Sequence, residues 1–446
     1  RAEERADAVP GPTSRAAYAA EQAYIAPGLQ RIAQLSELTI ERGHGSTLVD
    51  TDGNQFLDFF AGVAVASLGH SHPRFVRAMQ AQLEKSIVGS FTSAPRFKLL
   101  EKLTALAPGR LNRTQLYSGG AEAVEAAIRL AKSYTKKFEV VGFWGGFHGK
   151  TGGVMGLIGD NWKQKWGPLM GGTHQVPYAD CYRCPLKTTY PGCGVACVEL
   201  AGEQLKVTTA GAIAAIIVEP MQGTAGNIIP PPEFLPAVRE LARQHDALLI
   251  ADEMITGFGR TGTMFGVDHT GVEPDIMTVG KGFGCGFPVT GLISTDEITA
   301  SLPFARPSSS SSSYGGNPLG ATAALATVET IEDEGLVENA ARVGAVLLDG
   351  LRALQEKYEF IGDVRGRGLL IGMDLVTDRA TKEPLPARVT ESIFLGALRR
   401  GLLLMGYFSR VRINPPLVLT ESEARDGVAI LDEVFAEMAP DGRYRA

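Results

Sequence analysis

The sequence predicts an α/β protein, with a large domain on a mostly parallel central sheet and a smaller α+β unit. Three observations predict it. Short apolar runs alternate with amphipathic segments from about Thr114 onward, a pattern that implies a parallel sheet covered on both faces. The C-terminal third changes rhythm and reads as a separate unit. Glycine makes up 53 of 446 residues, against an average near ~7%, without low complexity to explain it. Such glycine marks tight turns and close approaches of backbone to ligand.

Taken in order, residues 1–25 are rich in Ala, Arg and Glu, are broken by Pro10, Gly11 and Pro12, and read as a loosely packed arm, helical in part. Thr47–Asp50 and Gln55–Phe59 flank Asp52-Gly53, a hairpin signal. Helical periodicity follows over Arg74–Lys85 and Phe97–Leu106. The strands expected in the large domain are Thr114–Tyr117, Val140–Phe143, Ile213–Val218, Ala247–Ala251, Ile276–Val279 and Val289–Ile293, and its helices Ala121–Thr135, Pro232–His245 and Pro318–Asp333. Beyond these come a helix over 337–357, strands near Leu369–Leu375 and Leu402–Met405, and a helix over 421–438. The expected organisation is an arm (1–25), a first part of the small domain (26–72), a large domain (73–325) carrying a Cys-rich insertion (178–200), and the rest of the small domain (326–446).

Composition excludes several functions. A net charge of −6 argues against a nucleic-acid binder, which needs a basic stripe. No apolar run approaches the ~18 residues of a membrane span, and no leader pattern is read at the N-terminus. Five cysteines in this length do not make a secreted disulfide scaffold, so a cytoplasmic enzyme is expected.

Several segments could carry chemistry. Ser118-Gly119-Gly120-Ala121-Glu122 joins a strand to a helix, where free N–H groups attract phosphate. Phe147 and His148 follow a strand end, and Phe147 could cover a flat heterocycle or belong to the core. Asp252 ends the most apolar strand, a costly place for a carboxylate unless it is partnered; it caps a helix or holds a proton on a ring nitrogen. Lys281, between Gly280 and Gly282 at another strand end, could be a desolvated nucleophile towards an aldehyde. Ser308–Ser313 is either a flexible surface loop or a ligand-facing one.

Together these are the parts of a pyridoxal phosphate site, and over about 40–440 the chain resembles the class III (ω-amino acid) aminotransferases. The motifs that carry the resemblance are Gly120-Ala121-Glu122-Ala123-Val124-Glu125, Glu219-Pro220-Met221-Gln222-Gly223, the run Asp252–Gly262, and Lys281, in the family order. The resemblance implies fold type I, a small domain formed by both chain ends, and pyridoxal 5′-phosphate as cofactor. It implies that Lys281 carries the cofactor covalently and shuttles a proton, and that Asp252 pairs with the pyridine nitrogen. Phe147 and Met254, where the family usually has Val, would cover the two ring faces. Gly120 and Ala121, the latter often Ser in the family, would hold the phosphate, with His148 and Glu219 among the cofactor-contacting residues. Ser313 aligns with a family Thr that reaches the neighbouring subunit's cofactor, so a homodimer with shared active sites, or a higher oligomer, is implied. Arg412 matches the arginine that binds the substrate carboxylate.

Two departures bear on substrate. Thr224 stands where 4-aminobutyrate aminotransferases have a glutamate, which favours pyruvate over 2-oxoglutarate as acceptor. Val63 stands where dialkylglycine decarboxylases have glutamine, which disfavours decarboxylation and favours an apolar amine pocket. The expected activity is transfer of an amino group from an ω-amino acid, diamine or other amine to a 2-oxo acid; a racemase, mutase or decarboxylating transaminase of the same family is the alternative. Cys181, Cys184, Cys193 and Cys197 have spacings that allow structural zinc or an iron–sulfur cluster, and equally free thiols or a local disulfide.

Overall fold

The structure is a computed structural model that describes residues 9–439 and 444. The first eight residues of the arm read over 1–25 lie outside the described residues. The chain divides into two compact units, one of residues 74–334 and one of residues 1–73 with 335–446.

The larger unit is built on a seven-stranded sheet: β1 Arg113–Tyr117, β2 Glu139–Phe143, β3 Thr173–Val176, β4 Ile213–Val218, β5 Leu248–Asp252, β6 Ile276–Val279 and β7 Thr290–Ser294. Their order is β1-β7-β6-β5-β4-β2-β3. The pairings from β6 through β3 are parallel, and β7 runs antiparallel to both β1 and β6. Every residue of β2, β4, β5, β6 and β7 is buried, as strands covered on both faces require. Fully burying each Val, Leu or Ile contributes about 1.5–3 kcal/mol, so the central strands are the most firmly held part of this unit.

Helix α1, Gly120–Thr135, follows β1 and packs Ala123, Val124, Ala127 and Leu130 against sheet residues Val140, Ala215 and Leu292. Its small residues let helix and strands approach closely. Helix α2, Ala196–Thr208, begins within the Cys-rich insertion and includes Cys197, α3 is Phe234–Gln244, and α4 is Pro318–Asp333. Because α4 runs unbroken across residue 325, the division between units falls after it, at Glu334/Gly335. Strand β3 and helix α2 are absent from the sequence expectations. The strand reads Thr-His-Gln-Val, too polar to stand out, since as the edge strand it keeps three of its four residues only half-buried.

In the smaller unit, Ile40–His44, Thr47–Asp50, Gln55–Asp58 and Leu402–Leu403 form one sheet, and Ile361–Arg367, Leu370–Asp378, Glu383–Pro384 and Arg410–Ile413 form another. The arm is tied more closely than its composition suggests. Pro12–Gln22 is helical, and the backbone N–H groups of Thr13 and Ser14 donate to the Asp52 carboxylate at 2.9 and 2.7 Å, using the hairpin turn as a helix cap.

Candidate active site

Asp252 closes β5 and is essentially fully buried. Its Oδ2 lies 2.6 Å from His148 Nδ1, and its Oδ1 accepts from Thr278 Oγ1 at 3.0 Å and from the Met254 N–H at 3.2 Å. Thr278 is in register with Asp252 across the β5–β6 ladder, so the sheet itself delivers that hydroxyl. Burial works against a charged His148, but the hydrogen bond and charge of Asp252, with Glu219 beyond, hold its pKa above the ordinary value. The charge of Lys281 bears on His148 in the opposite sense, lowering its pKa.

Glu219, after β4, accepts from the Phe147 N–H at 3.0 Å and the Gly223 N–H at 2.9 Å; burial pushes it above the usual carboxylate range, against the pull of His148. One carboxylate thereby fixes both the Phe147 segment and the turn that carries half-buried Thr224. Met254 knits the remaining parts together. A Cβ on Gly280 would come within 2.5 Å of Met254 Sδ, and one on Gly120 within 3.4 Å. A Cβ on Gly149 would fall 2.4 Å from Ala121 Cβ. The Lys281 turn reaches Met254, and the His148 turn reaches Ala121 at the α1 N-terminus, only because Gly280 and Gly149 carry no side chain. Lys281 itself has φ +46, a left-handed conformation rare outside glycine, of the strained kind found at functional sites.

Sequence reasoning missed Thr278, Lys150 and Trp162. The Trp162 ring meets Phe147 edge-on at 5.7 Å, and Lys150 Nζ lies 4.9 Å from the Trp162 centroid and 6.0 Å from that of Phe147. Lys150 follows His148 by two residues, so its proximity was available from spacing, whereas Trp162 comes from a short 3-10 turn, Asn161–Lys163, with no signal of its own. Ser313 is exposed, in the turn where a Cβ on Gly315 would collide with the Leu116 carbonyl at 2.2 Å.

Val63 and Arg412 belong to the smaller unit. Val63 packs on the cluster of Phe56, Met405 and Tyr407, and the Arg412 N–H donates to the Met405 carbonyl at 3.2 Å. Arg412 is buried, and its charge opposes the rise that burial imposes on the Tyr407 phenol. Ala61, Gly62, Val63 and Ala64 all have positive φ, from 46° to 67°, an unusual left-handed turn for a β-branched residue. Buried Asp58 supports it by accepting from the Phe60 and Ala61 N–H groups at 2.9 and 2.7 Å. Arg410 is engaged by Asp374, 3.6 Å away.

Of the alternatives open for the four cysteines, the structure forms no disulfide. Cys181, Cys184, Cys193 and Cys197 all line one cavity of about 20 Å³, yet among the described residues no three His, Cys, Asp or Glu side chains are placed to hold a metal ion. All are free thiols. Burial pushes Cys181 and Cys197 up to about 11, with the neighbouring thiols adding to the rise, while hydrogen bonds to the Thr188 segment lower Cys184 against its own burial.

A family model for class III aminotransferases matches residues 30–435. The chain belongs to the class III aminotransferases. Among curated proteins it is 36% identical over 417 residues to the 5-aminovalerate aminotransferase of Pseudomonas putida, covering 92% of this chain and 96% of that one. It is 34% identical over 398 residues to the leucine/methionine racemase of Thermococcus litoralis, covering 87% and 88%. Among solved structures, an amine transaminase from an uncultivated Pseudomonas species in its PLP-bound form superposes with a TM-score of 0.86 at 33% identity, covering 93% and 98%. This class III aminotransferase is therefore a pyridoxal phosphate-dependent enzyme of fold type I, and its residues fit that group. The first turn of α1 offers backbone N–H groups without intrahelical acceptors, the glycines leave room that a Cβ would fill, and a buried anion and a lysine stand in the same unit.

A second carboxyl next to Asp252 gives the aminotransferase a measurable pH signature. Glu253 is fully buried and held by Thr256 Oγ1 and by the N–H groups of Gly266 and Val267 at 2.8 and 2.9 Å; burial pushes its pKa from 4.5 to about 7, against these hydrogen bonds. A folded-state pKa raised in this way contributes stability that is complete below pH ~4.5 and lost as pH rises through 7. Between pH 5 and 8 the parent chain should lose on the order of 2–3 kcal/mol that Glu253→Gln does not lose. Denaturant unfolding across that range checks this, and parallel curves for the two proteins would contradict it.

Proposed function

We propose that this enzyme transfers an amino group from an ω-amino acid, diamine or other amine to a 2-oxo acid. The observation that supports the reading is the buried Asp252–His148 pair in the same unit as Lys281, whose charge acts on His148, and as the α1 N-terminus, at turns where Gly149 and Gly280 leave no room for a side chain. Bound pyridoxal phosphate supplies an aldehyde and an electron-accepting ring. Gly120 and Ala121 would hold its phosphate, and Phe147 and Met254 would flank the ring. Asp252 would keep a proton on the ring nitrogen, with His148 and Thr278 as positioning residues that fix its two oxygens. Lys281 Nζ would carry the cofactor between turnovers and, once displaced by the amine, take the proton from the substrate carbon that bears nitrogen.

Substrate features follow from the surrounding residue types. Lys150, held over Trp162 beside Phe147, would attract the distal carboxylate of an ω-amino acid. Arg412, a buried guanidinium in its own unit, is the residue type for a planar carboxylate, and Val63 the type for an apolar amine tail. Thr224 brings no charge to neutralise a guanidinium, which supports pyruvate over 2-oxoglutarate. Ser313, exposed, would serve a neighbouring subunit's cofactor, so the proposed working unit is a homodimer.

The relative from Thermococcus litoralis, named a leucine/methionine racemase, favours one second reading, because racemisation would use the same lysine without an acceptor. A panel of amines and amino acids, each incubated with pyruvate, with 2-oxoglutarate and with no acceptor, separates the two. Amino transfer requires product only when an acceptor is present, and inversion of an amino acid with none would favour the racemase. Lys281→Ala should reduce either activity by at least ~10⁴-fold while keeping its fold, and parental turnover in that variant would contradict the assignment. Lys150→Ala should raise KM about tenfold for ω-amino acids and leave KM for amines without a carboxylate unchanged, since one partly exposed charge contact is worth about 1.4 kcal/mol. An equal change for both substrate types would exclude that role.

A further inference from the structure

A second cavity, of about 310 Å³, lies at the other end of α1, lined by Arg129, Lys132, Pro303, Phe304, Ser309 and Ser310 among others. It absorbs the part of the serine run that amino transfer leaves unused. The run is shaped for this wall. Ser308 adopts φ +64, Ser310 Oγ donates to the Phe304 carbonyl at 2.9 Å, and the Tyr117 hydroxyl donates to the Ser310 carbonyl at 2.9 Å. The loop is therefore fixed across the C-terminal half of the helix rather than loose.

The charge here is one-sided in a chain whose net charge is −6. Arg129 and Lys132 stand one turn apart on α1, a like-charge spacing that costs a few tenths of a kcal/mol when nothing answers it. Lys136 adds a third cation at the same end, its Nζ donating to the Ser133 and Leu302 carbonyls at 2.5 and 2.6 Å. Among the described residues no carboxylate lines the cavity. The acids of the adjoining elements are turned elsewhere. Glu122 caps α1 through the Ser118 and Gly119 N–H groups, and Glu125 accepts from Thr151 Oγ1 and the Gly153 N–H. Asp296 pairs with Arg113 and Glu297 accepts from Tyr134. Burial also lowers the pKa of Lys132, the direction expected of an ammonium that has lost water without gaining an anion.

We propose that this cavity is a binding site for a small phosphate-bearing anion, with Arg129 and Lys132 as the charge partners, serine hydroxyls completing the donors and Pro303 and Phe304 as an apolar wall. Its volume, at the lower end of small-molecule pockets, exceeds what a bare phosphate fills and suits a short phosphomonoester. Two cations and the rotatable hydroxyls of Ser133 and Ser309, Ser310 being committed to the Phe304 carbonyl, match the tetrahedral dianion better than a neutral polyol.

The test is calorimetric titration of the holoenzyme, in phosphate-free buffer at low ionic strength, with glycerol 3-phosphate, inorganic phosphate and glycerol. The cofactor's absorbance is followed throughout to show that its own phosphate cradle stays filled. The expected result is one equivalent of glycerol 3-phosphate bound per chain, weakened at least tenfold in the Arg129→Ala/Lys132→Ala double variant. The Arg129→Gln/Lys132→Gln variant guards against a folding defect, and amino-transfer rates without phosphate should be unchanged in both. Tighter binding of the ester assigns the site to an organic phosphate, and equal binding of inorganic phosphate assigns it to the free ion; either supports the site. Absence of binding to the parent enzyme, equal binding of glycerol, or unchanged affinity in the double variants would overturn it. The amino-transfer reading stands or falls separately, since none of these residues serves it.

Discussion

The larger unit is organised around one awkward object, a carboxylate at the end of a strand buried on both faces. Asp252 sits where an ion without partners would cost several kcal/mol, and three donors from three segments converge on it. Thr278 arrives by sheet register, the Met254 N–H by the turn immediately following, and His148 from the loop after β2. Together they fix both carboxylate oxygens before any ligand is present. On the proposed reading this is preorganisation: the anion that keeps a ring nitrogen protonated is oriented by the fold and needs no rearrangement during turnover.

The remaining site parts are positioned by what is missing from the backbone as much as by what is present. Met254 can touch the Lys281 turn only because Gly280 has no Cβ, and Ala121 tolerates the His148 turn only because Gly149 has none. Glu219 couples two loops by accepting one N–H from each. Glycine at these turns is thus a packing requirement of a site assembled from several strand ends, the place where ligands collect in parallel sheets.

The parts legible in the sequence were those with a strong local pattern. The apolar strands Ile213–Val218 and Ile276–Val279 fall on the expected residues, as does α4. Lys281 and Asp252 stood out because charged residues at the ends of such strands need a reason. What stayed hidden depended on register or tertiary packing. Edge strand β3 has no apolar run, Thr278 is an ordinary strand residue until its ladder partner is known, and Trp162 reaches Phe147 from a short 3-10 turn. The Cys-rich segment was open for a related reason. Its spacing allows ligation, a disulfide or free thiols equally, and the fold shows the four cysteines as free thiols around one small cavity. The serine run divides in the same way, since its chemistry depends on which wall each residue faces.

The most direct test of the account is the protonation state of the ring nitrogen. Enzyme reconstituted with pyridoxal phosphate carrying ¹⁵N in the ring reports it by its NMR chemical shift across pH 6–9. The account predicts a protonated nitrogen throughout that range in the parent enzyme, an unprotonated one in Asp252→Ala, and an intermediate shift in His148→Asn, where the carboxylate remains but loses one of its supports. An unprotonated nitrogen in the parent enzyme, or one still protonated after Asp252→Ala, would contradict it.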